Sequence, residues 1–241
     1  MELAGHGLHR RRLACAAAIA GLVLSQGPLR AQRPTPDPAA GVRTLPQTIP
    51  IFPLPDASLF PSVSRPFNIF EPRYRTMVAD ALKGDHIIGM VMLRPGYESD
   101  YDGRPPIYQV GCAGIITDAV ELPDGRYNIV LRGLVKFRVA SEDQSRAYRL
   151  ARIDELPESL NEEDTATLRA MREQLATVLR KLAPGTDPPP PEFTDEEVVN
   201  TLAQYWDFDP ADRQQLLERD GARSRAQGLI DLLNASVPQP R

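Results

Sequence analysis

Residues with the side chains most used in catalysis and metal binding are scarce in this chain. Of its 241 residues, two are cysteine and three are histidine. Lysine occurs only as Lys83, Lys136 and Lys181, so nearly all of the basic charge is arginine. No glycine is followed by lysine anywhere. That removes the GxxxxGK[ST] loop and ATP chemistry of the P-loop kind. Two cysteines, Cys15 and Cys112, are too few for a disulfide framework. A zinc site needs three or four ligands, which His86 and Cys112 do not supply by themselves. Asp100-Tyr101-Asp102-Gly103 resembles the start of a calcium loop but lacks the downstream glutamate, and reads as a solvated turn. A net charge of −4 gives no general attraction for nucleic acid or for an anionic membrane. No metal, cofactor or nucleic acid is therefore expected. A Cys112–His86 nucleophile pair is formally open. The plainer reading puts Cys112 in a strand interior and His86 at a helix–strand junction.

Proline, by contrast, is abundant, with 24 residues, 13 of them within 32–61 and 184–191. Ahead of the first cluster, Arg10-Arg11-Arg12 precedes the apolar run Leu13–Leu24, Pro28 breaks it, and Ala31 offers a small residue for cleavage. This is the three-part pattern of a secretory signal peptide over 1–31. The run is well short of the roughly 20 residues that span a bilayer. The expectation is export to a periplasmic or extracellular space, with no membrane span after cleavage; a misassigned start would leave the chain in the cytoplasm. Residues 32–46, rich in proline and poor in large apolar side chains, read as a disordered tether.

The organising stretch runs from Ile49 to Gly84. Its prolines at 50, 53, 55, 61 and 66 allow only short or edge strands. Pro72 is placed to open a helix, because its missing N–H has no acceptor in the first turn. Tyr74, Met77, Val78, Ala81 and Leu82 then form one stripe at the 3.6 period, and Gly84 reads as a left-handed cap. Ile87–Leu93 is continuous and apolar, as in a strand buried on both faces. Arg94–Pro106 is a polar loop. Gly111 and Gly114 suggest a bulge, and Pro123-Asp124-Gly125 is a tight turn. Tyr127–Val139 alternates with period two, and Tyr148–Leu156 reads as a last strand.

From Asn161 the period changes to 3.6. Asn161 caps a helix carrying Leu168, Met171, Leu175 and Val178, which Pro184-Gly185 stops. Thr194–Glu197 is a capping box, and two further helices follow Asp209-Pro210 and Gly221. The fold class is α+β: a small curved, mostly antiparallel β-lobe with one packed helix over 47–157, then a helical bundle over 158–236.

Two blocks of the chain, the run FPLPDASLFPSVSRPFNIFEPRYRTMVADAL and the run from Val110 through LPDG to Val139, resemble the Lon protease N-terminal domain in its stand-alone form. Ser62 departs from the glycine common after the Phe-Pro pair. The resemblance implies a PUA-like pseudo-barrel and a substrate-binding module without the ATPase and peptidase. It points to a non-catalytic protein that recognises unfolded or exposed segments of other proteins. The competing readings are an adaptor for one folded partner and, more remotely, a hydrolase with an unrecognised site. Tyr97 and Tyr101, aromatics in a polar loop, are the first candidates for polypeptide contact. Leu54, Leu59 and Phe60 are the second, as a surface for strand addition. The matching residues Phe70, Glu71, Pro72, Arg73, Tyr74, Arg75, Pro123, Asp124 and Gly125 read as structural, with Glu71 favoured at the helix start and paired to Arg73 or Arg75. Tyr205, Trp206 and Phe208 resemble a stacking cluster but continue a helical stripe and read as core.

Overall fold

The stretches of period two close on themselves. In a computed structural model, which describes residues 45–97, 101, 103–143, 145–185, 187 and 189–237, six strands form one sheet. These are β1 (Thr48–Leu54), β2 (Ser64–Ile69), β3 (Ile87–Met92), β4 (Val110–Glu121), β5 (Tyr127–Asp143) and β6 (Arg149–Leu156). The expected signal peptide over 1–31 and all but the last two residues of the expected tether lie outside the described residues. The strand order is β2-β5-β4-β3-β1-β6, and β5 pairs again with β6. Five strands thus return on themselves as a barrel, with β2 hung on its side.

β5 is long enough for both roles. Tyr127–Arg132 pair with β2, and Lys136–Asp143 pair with β6. Gly133 sits where the partner changes. A Cβ there would stand 2.0 Å from the Phe60 carbonyl oxygen. Only glycine lets the preceding turn lie on the strand, where the Ser62 N–H donates to the Gly133 carbonyl at 2.9 Å. The register shifts beside Gly114, but the extra residue there is Leu134 of β5, while the extra residue of β4 itself is Thr117, between Ile116 and Asp118. Every ladder is antiparallel except β1–β3, whose connection carries β2 and a helix.

The prolines of β1 show how a central strand tolerates them. β1 lies between β3 and β6, so it is not an edge. Yet β6 covers only Thr48–Ile51, and β3 only Ile51–Leu54. Pro50 and Pro53 each have a strand on one side alone, so the N–H that each lacks can fall on the uncovered side without breaking a ladder bond. Pro66, in β2, stands on the true edge.

Helix α1 (Pro72–Lys83) begins with Pro72 and buries Tyr74, Met77, Val78 and Ala81. Gly84 does not take the left-handed conformation expected of it, since its φ is −115°. The reversed residue is His86, at φ 62°, whose N–H bonds back to the Ala81 carbonyl. The helix is closed two residues later than the glycine suggested.

Four helices complete the fold: α2 (Glu162–Leu182), α3 (Asp195–Tyr205), α4 (Pro210–Glu218) and α5 (Gly221–Ala235). Asn161 accepts the Asp164 N–H, and Thr194 with Glu197 forms a complete capping box. Together the caps contribute about 1 kcal/mol each. Trp206 and Phe208 are partly buried against the core, as the stripe implied. β3 is buried throughout, because its two faces meet different cores. Ile87 and Val91 face the barrel interior with Ile49, Ile51 and Phe137. Ile88 and Met90 belong to a larger cluster that continues into Leu168, Val199, Leu217 and Leu229 of the helices. The β-lobe and the helical half share that one cluster.

A buried polar network crosses the same boundary. Arg225 of α5, fully buried, donates to the Leu216 carbonyl at 3.2 Å, to Asn200 Oδ1 at 2.6 Å and to Glu158 Oε1 at 2.5 Å. Lys136 of β5 reaches the same Glu158 oxygen at 2.6 Å. Asn200 donates in turn to the Pro61 carbonyl at 3.1 Å. Burial pushes the Glu158 carboxyl up, but Arg225 and Lys136 outweigh it and hold the group below its ordinary range.

Candidate functional site

Alternation along β2 decides what stands at the head of α1. Arg65, Phe67 and Ile69 turn inward and the even-numbered residues turn out. Phe70, one residue beyond the strand, continues the outward set and is 62% exposed. Pro72 then starts the helix too soon for the ring to be folded under it. Phe70, Glu71, Pro72, Arg73 and Tyr101 line an open depression of about 690 Å³.

The charged part of this surface is ordered from within. Arg73 pairs with Glu71 at 2.9 Å. The Tyr101 hydroxyl donates to the other Glu71 oxygen at 2.8 Å, and Arg73 donates to the Tyr101 carbonyl at 3.2 Å. The Arg73 guanidinium lies 4.6 Å from the Tyr74 ring centre and 5.1 Å from that of Tyr101, at cation–π distance from both. Burial, then the bond to Glu71, pushes the Tyr101 hydroxyl well above its ordinary range, so it stays a donor. Glu71 precedes the first helical residue but makes no side-chain cap bond. Its two oxygens are turned to Arg73 and Tyr101 instead.

Behind the depression lies a cavity of about 220 Å³, walled by Arg73, Tyr74, Tyr101, Arg104, Tyr148 and Arg149 among others. Arg149 is almost wholly buried, held by the Pro105 carbonyl at 2.7 Å and Glu142 at 3.2 Å. Tyr148 donates to Asp80 of α1 at 2.9 Å.

The residues singled out in the sequence fall into separate places. Glu71, Arg73 and Tyr101 meet, as described. Arg75 meets Gly125: a Cβ on that residue would stand 2.0 Å from the Arg75 guanidinium, and Gly125 has φ +77°. Pro123-Asp124-Gly125 is therefore a turn packed under α1, with Asp124 paired to Arg126 at 2.7 Å. Tyr97 is exposed but lines neither hollow. Leu54 is half-buried. Leu59 and Phe60 are fully buried and offer no surface for strand addition. They fill the joint between sheet and helices, and the Phe60 N–H bonds to Gln204 of α3. Cys112 and His86 do not form a pair. Cys112 lies opposite Met90, while the His86 carbonyl accepts from Ile116, about 13 Å further along the ladder. Burial pushes the Cys112 thiol up to about 12. Arg104, Tyr148 and Arg149 were missed, since they belong to no motif and only tertiary packing brings Arg104 to the adjacent pair Tyr148-Arg149.

The residues 48–235 match the family described as the ATP-dependent protease La (LON) substrate-binding domain. The chain belongs to that family. Among its relatives, Lon protease of Trichlorobacter lovleyi is 30% identical over 198 residues, which are 78% of this chain and 24% of that protein. Lon protease 2 of Myxococcus xanthus is 25% identical over 197 residues, 79% of this chain and 24% of that protein. The chain thus spans about a quarter of the length of the curated relatives it matches. In three dimensions it resembles the N-terminal domain of the Mycobacterium avium complex Lon protease, with TM-score 0.58 and 17% identity over 78% of this chain and 98% of that one. The Lon N-terminal domain protein from Xanthomonas campestris aligns with TM-score 0.53 and 22% identity, over 79% and 99%. These two likenesses establish the α+β fold of a Lon-type substrate-binding domain. The stretch shared with the proteases is their substrate-binding domain, and no Gly-Lys pair of an ATP loop occurs in the chain.

Proposed function

We propose that this protein is a non-catalytic recognition module that holds unfolded or exposed segments of other proteins. The observation that carries this is an outward Phe70 beside a pre-formed Glu71–Arg73–Tyr101 cluster in a Lon-type substrate-binding fold. The aromatic supplies apolar area at low entropic cost, and the arginine and tyrosine supply donors already held in position. Client chains pay for their own ordering, so affinity is expected near the micromolar range, about −8 kcal/mol. The basic–apolar–small pattern at 1–31 supports export, so the clients are those met outside the cytoplasm.

The test is fluorescence anisotropy with a labelled, permanently unfolded client such as reduced, carboxamidomethylated α-lactalbumin. Saturable binding by the pure protein, with no turnover of ATP or casein, is the expected result. A single folded partner captured stoichiometrically, alongside no binding of unfolded clients, would establish the adaptor reading instead. N-terminal sequencing of the native protein tests export: a start near Gln32 supports it, and an intact Met1 in the cytosol removes it.

A further inference from the structure

The cavity behind Phe70 has a chemistry of its own. Among the described residues that line it are three guanidiniums, Arg73, Arg104 and Arg149, and no carboxylate. Two of them are balanced by carboxylates outside this lining: Glu71, which lines the adjoining depression, holds Arg73, and Glu142 holds Arg149. Arg104 is exposed and bonds to the Arg146 carbonyl at 3.2 Å. Arg149 is buried, and its fork is fixed by Pro105 and Glu142, so it is set in place without a ligand. Burial draws the Arg149 guanidinium below its ordinary range; Glu142 and then Tyr74 oppose this, and Arg104 and Arg73 add to it more weakly as neighbouring like charges. Arg73 and Arg149 each already carry a carboxylate, so the excess charge among the described lining residues is that of Arg104, and an anion beside it is stabilised by the three guanidiniums together.

Size and walls narrow the choice of anion. A volume of about 220 Å³ is below the roughly 300–1,000 Å³ of small-molecule pockets and suits one side chain or chain end. The rings of Tyr74, Tyr101 and Tyr148 give apolar walls for a short methylene stem. Arg73 and Tyr101 line both this cavity and the Phe70 depression, so a chain lying across Phe70 passes its mouth.

We infer that the Arg73–Arg104–Arg149 cavity receives a carboxylate of a bound polypeptide, from an Asp or Glu side chain or from the chain end, next to an apolar residue seated on Phe70. This rests on the reading of the site as a polypeptide-binding surface. It makes the preferred segment mixed, aromatic or aliphatic with an acidic group close by, rather than uniformly apolar.

The test uses the full chain and short labelled probes read by fluorescence anisotropy. The probes are an acetylated Ala-Phe-Ala-Glu amide, its Gln counterpart, and an Ala-Phe-Ala-Ala peptide as free acid and as amide. The Glu probe should bind about tenfold more tightly than the Gln probe, with the preference shrinking as salt rises. The two Ala-ended probes separate a chain-end carboxylate from a side chain. Arg104→Gln, which alters an exposed residue, should erase the preference by bringing the Glu probe down to the Gln probe's affinity, with the melting temperature unchanged. Arg149→Lys, with folding checked by circular dichroism, should weaken it in the same direction. Binding of the unfolded client with no preference for any carboxylate probe would overturn the inference and leave the proposed function standing. An Arg104-dependent preference without client binding would do the reverse. Inorganic phosphate competing at an affinity equal to the Glu probe's would mark a small-anion site and overturn the polypeptide occupant.

Discussion

Ser62 and Phe70 stand a few residues apart and show opposite kinds of exception. Ser62 occupies the left-handed region at φ 63°, where a side chain costs roughly 1–2 kcal/mol relative to glycine. It is held there by the bond to Gly133, so the strain is local and structural. Ser62→Gly should therefore raise stability by about 0.5–1 kcal/mol in urea unfolding, the gain being limited by glycine's greater freedom when unfolded. A loss of stability would mean the serine side chain itself contributes there. Phe70 costs nothing in folding terms but leaves a large ring in water. If it is the anchor for clients, Phe70→Ala should weaken binding by about 1–2 kcal/mol while shifting stability by less than about 0.5 kcal/mol. Equal anisotropy curves for the two proteins would remove Phe70 from the site. Tyr101 does not allow so clean an experiment, because its hydroxyl and carbonyl both hold the Glu71–Arg73 cluster.

Between elements, the decisive contact is Glu158 with Arg225 and Lys136. It ties the segment after β6 to α5 and to the middle of β5, and through Asn200 to α3 and Pro61. Glu158→Gln leaves two buried cations without their counter-charge and should cost about 3–5 kcal/mol at pH 7. The pH dependence follows from the direction of the shift. The Glu158 carboxyl is held lower in the folded state than in the unfolded chain. Its contribution is thus fully present above the unfolded value and is lost as pH falls through the folded one. The gap in stability between wild type and Glu158→Gln should narrow as pH falls from 5 to 3. A gap that stays constant over that window would mean the ion pairs contribute little.

Across the molecule, the switch from period two to period 3.6 does not coincide with a break in the core. The last strand ends at Leu156 and the helical half begins at Glu162, yet one apolar cluster spans Phe52, Ile88, Leu175 and Leu229. Each large side chain in that joint contributes about 1.5–3 kcal/mol by leaving water. The two halves should consequently unfold together. Calorimetry of the full chain should give one transition with matching calorimetric and van't Hoff enthalpies, and a version ending at residue 157 should aggregate. Two separate transitions would show that the halves are independent domains.

Local chemistry was readable wherever a residue acts on its own neighbourhood. Pro72 opens α1, Asn161 and Thr194 cap their helices, and alternation names the strands. These follow from backbone geometry within a few residues, so no partner need be known. The reversal at His86 instead of Gly84 was not readable, because the turn is set by the bond back to Ala81 and by the start of β3. Nor was the burial of Leu59 and Phe60, which depends on helices more than a hundred residues later. The position of Pro50 and Pro53 in a central strand depends on β3 and β6 each covering half of β1, a matter of register between distant segments. The arginine-lined cavity is of the same kind. Arg73, Arg104 and Arg149 come from α1, a loop and β6, and no spacing along the chain relates them. Only the tertiary packing of that helix, loop and strand brings them to one hollow, where Glu71 and Glu142 offset the charge of two of them.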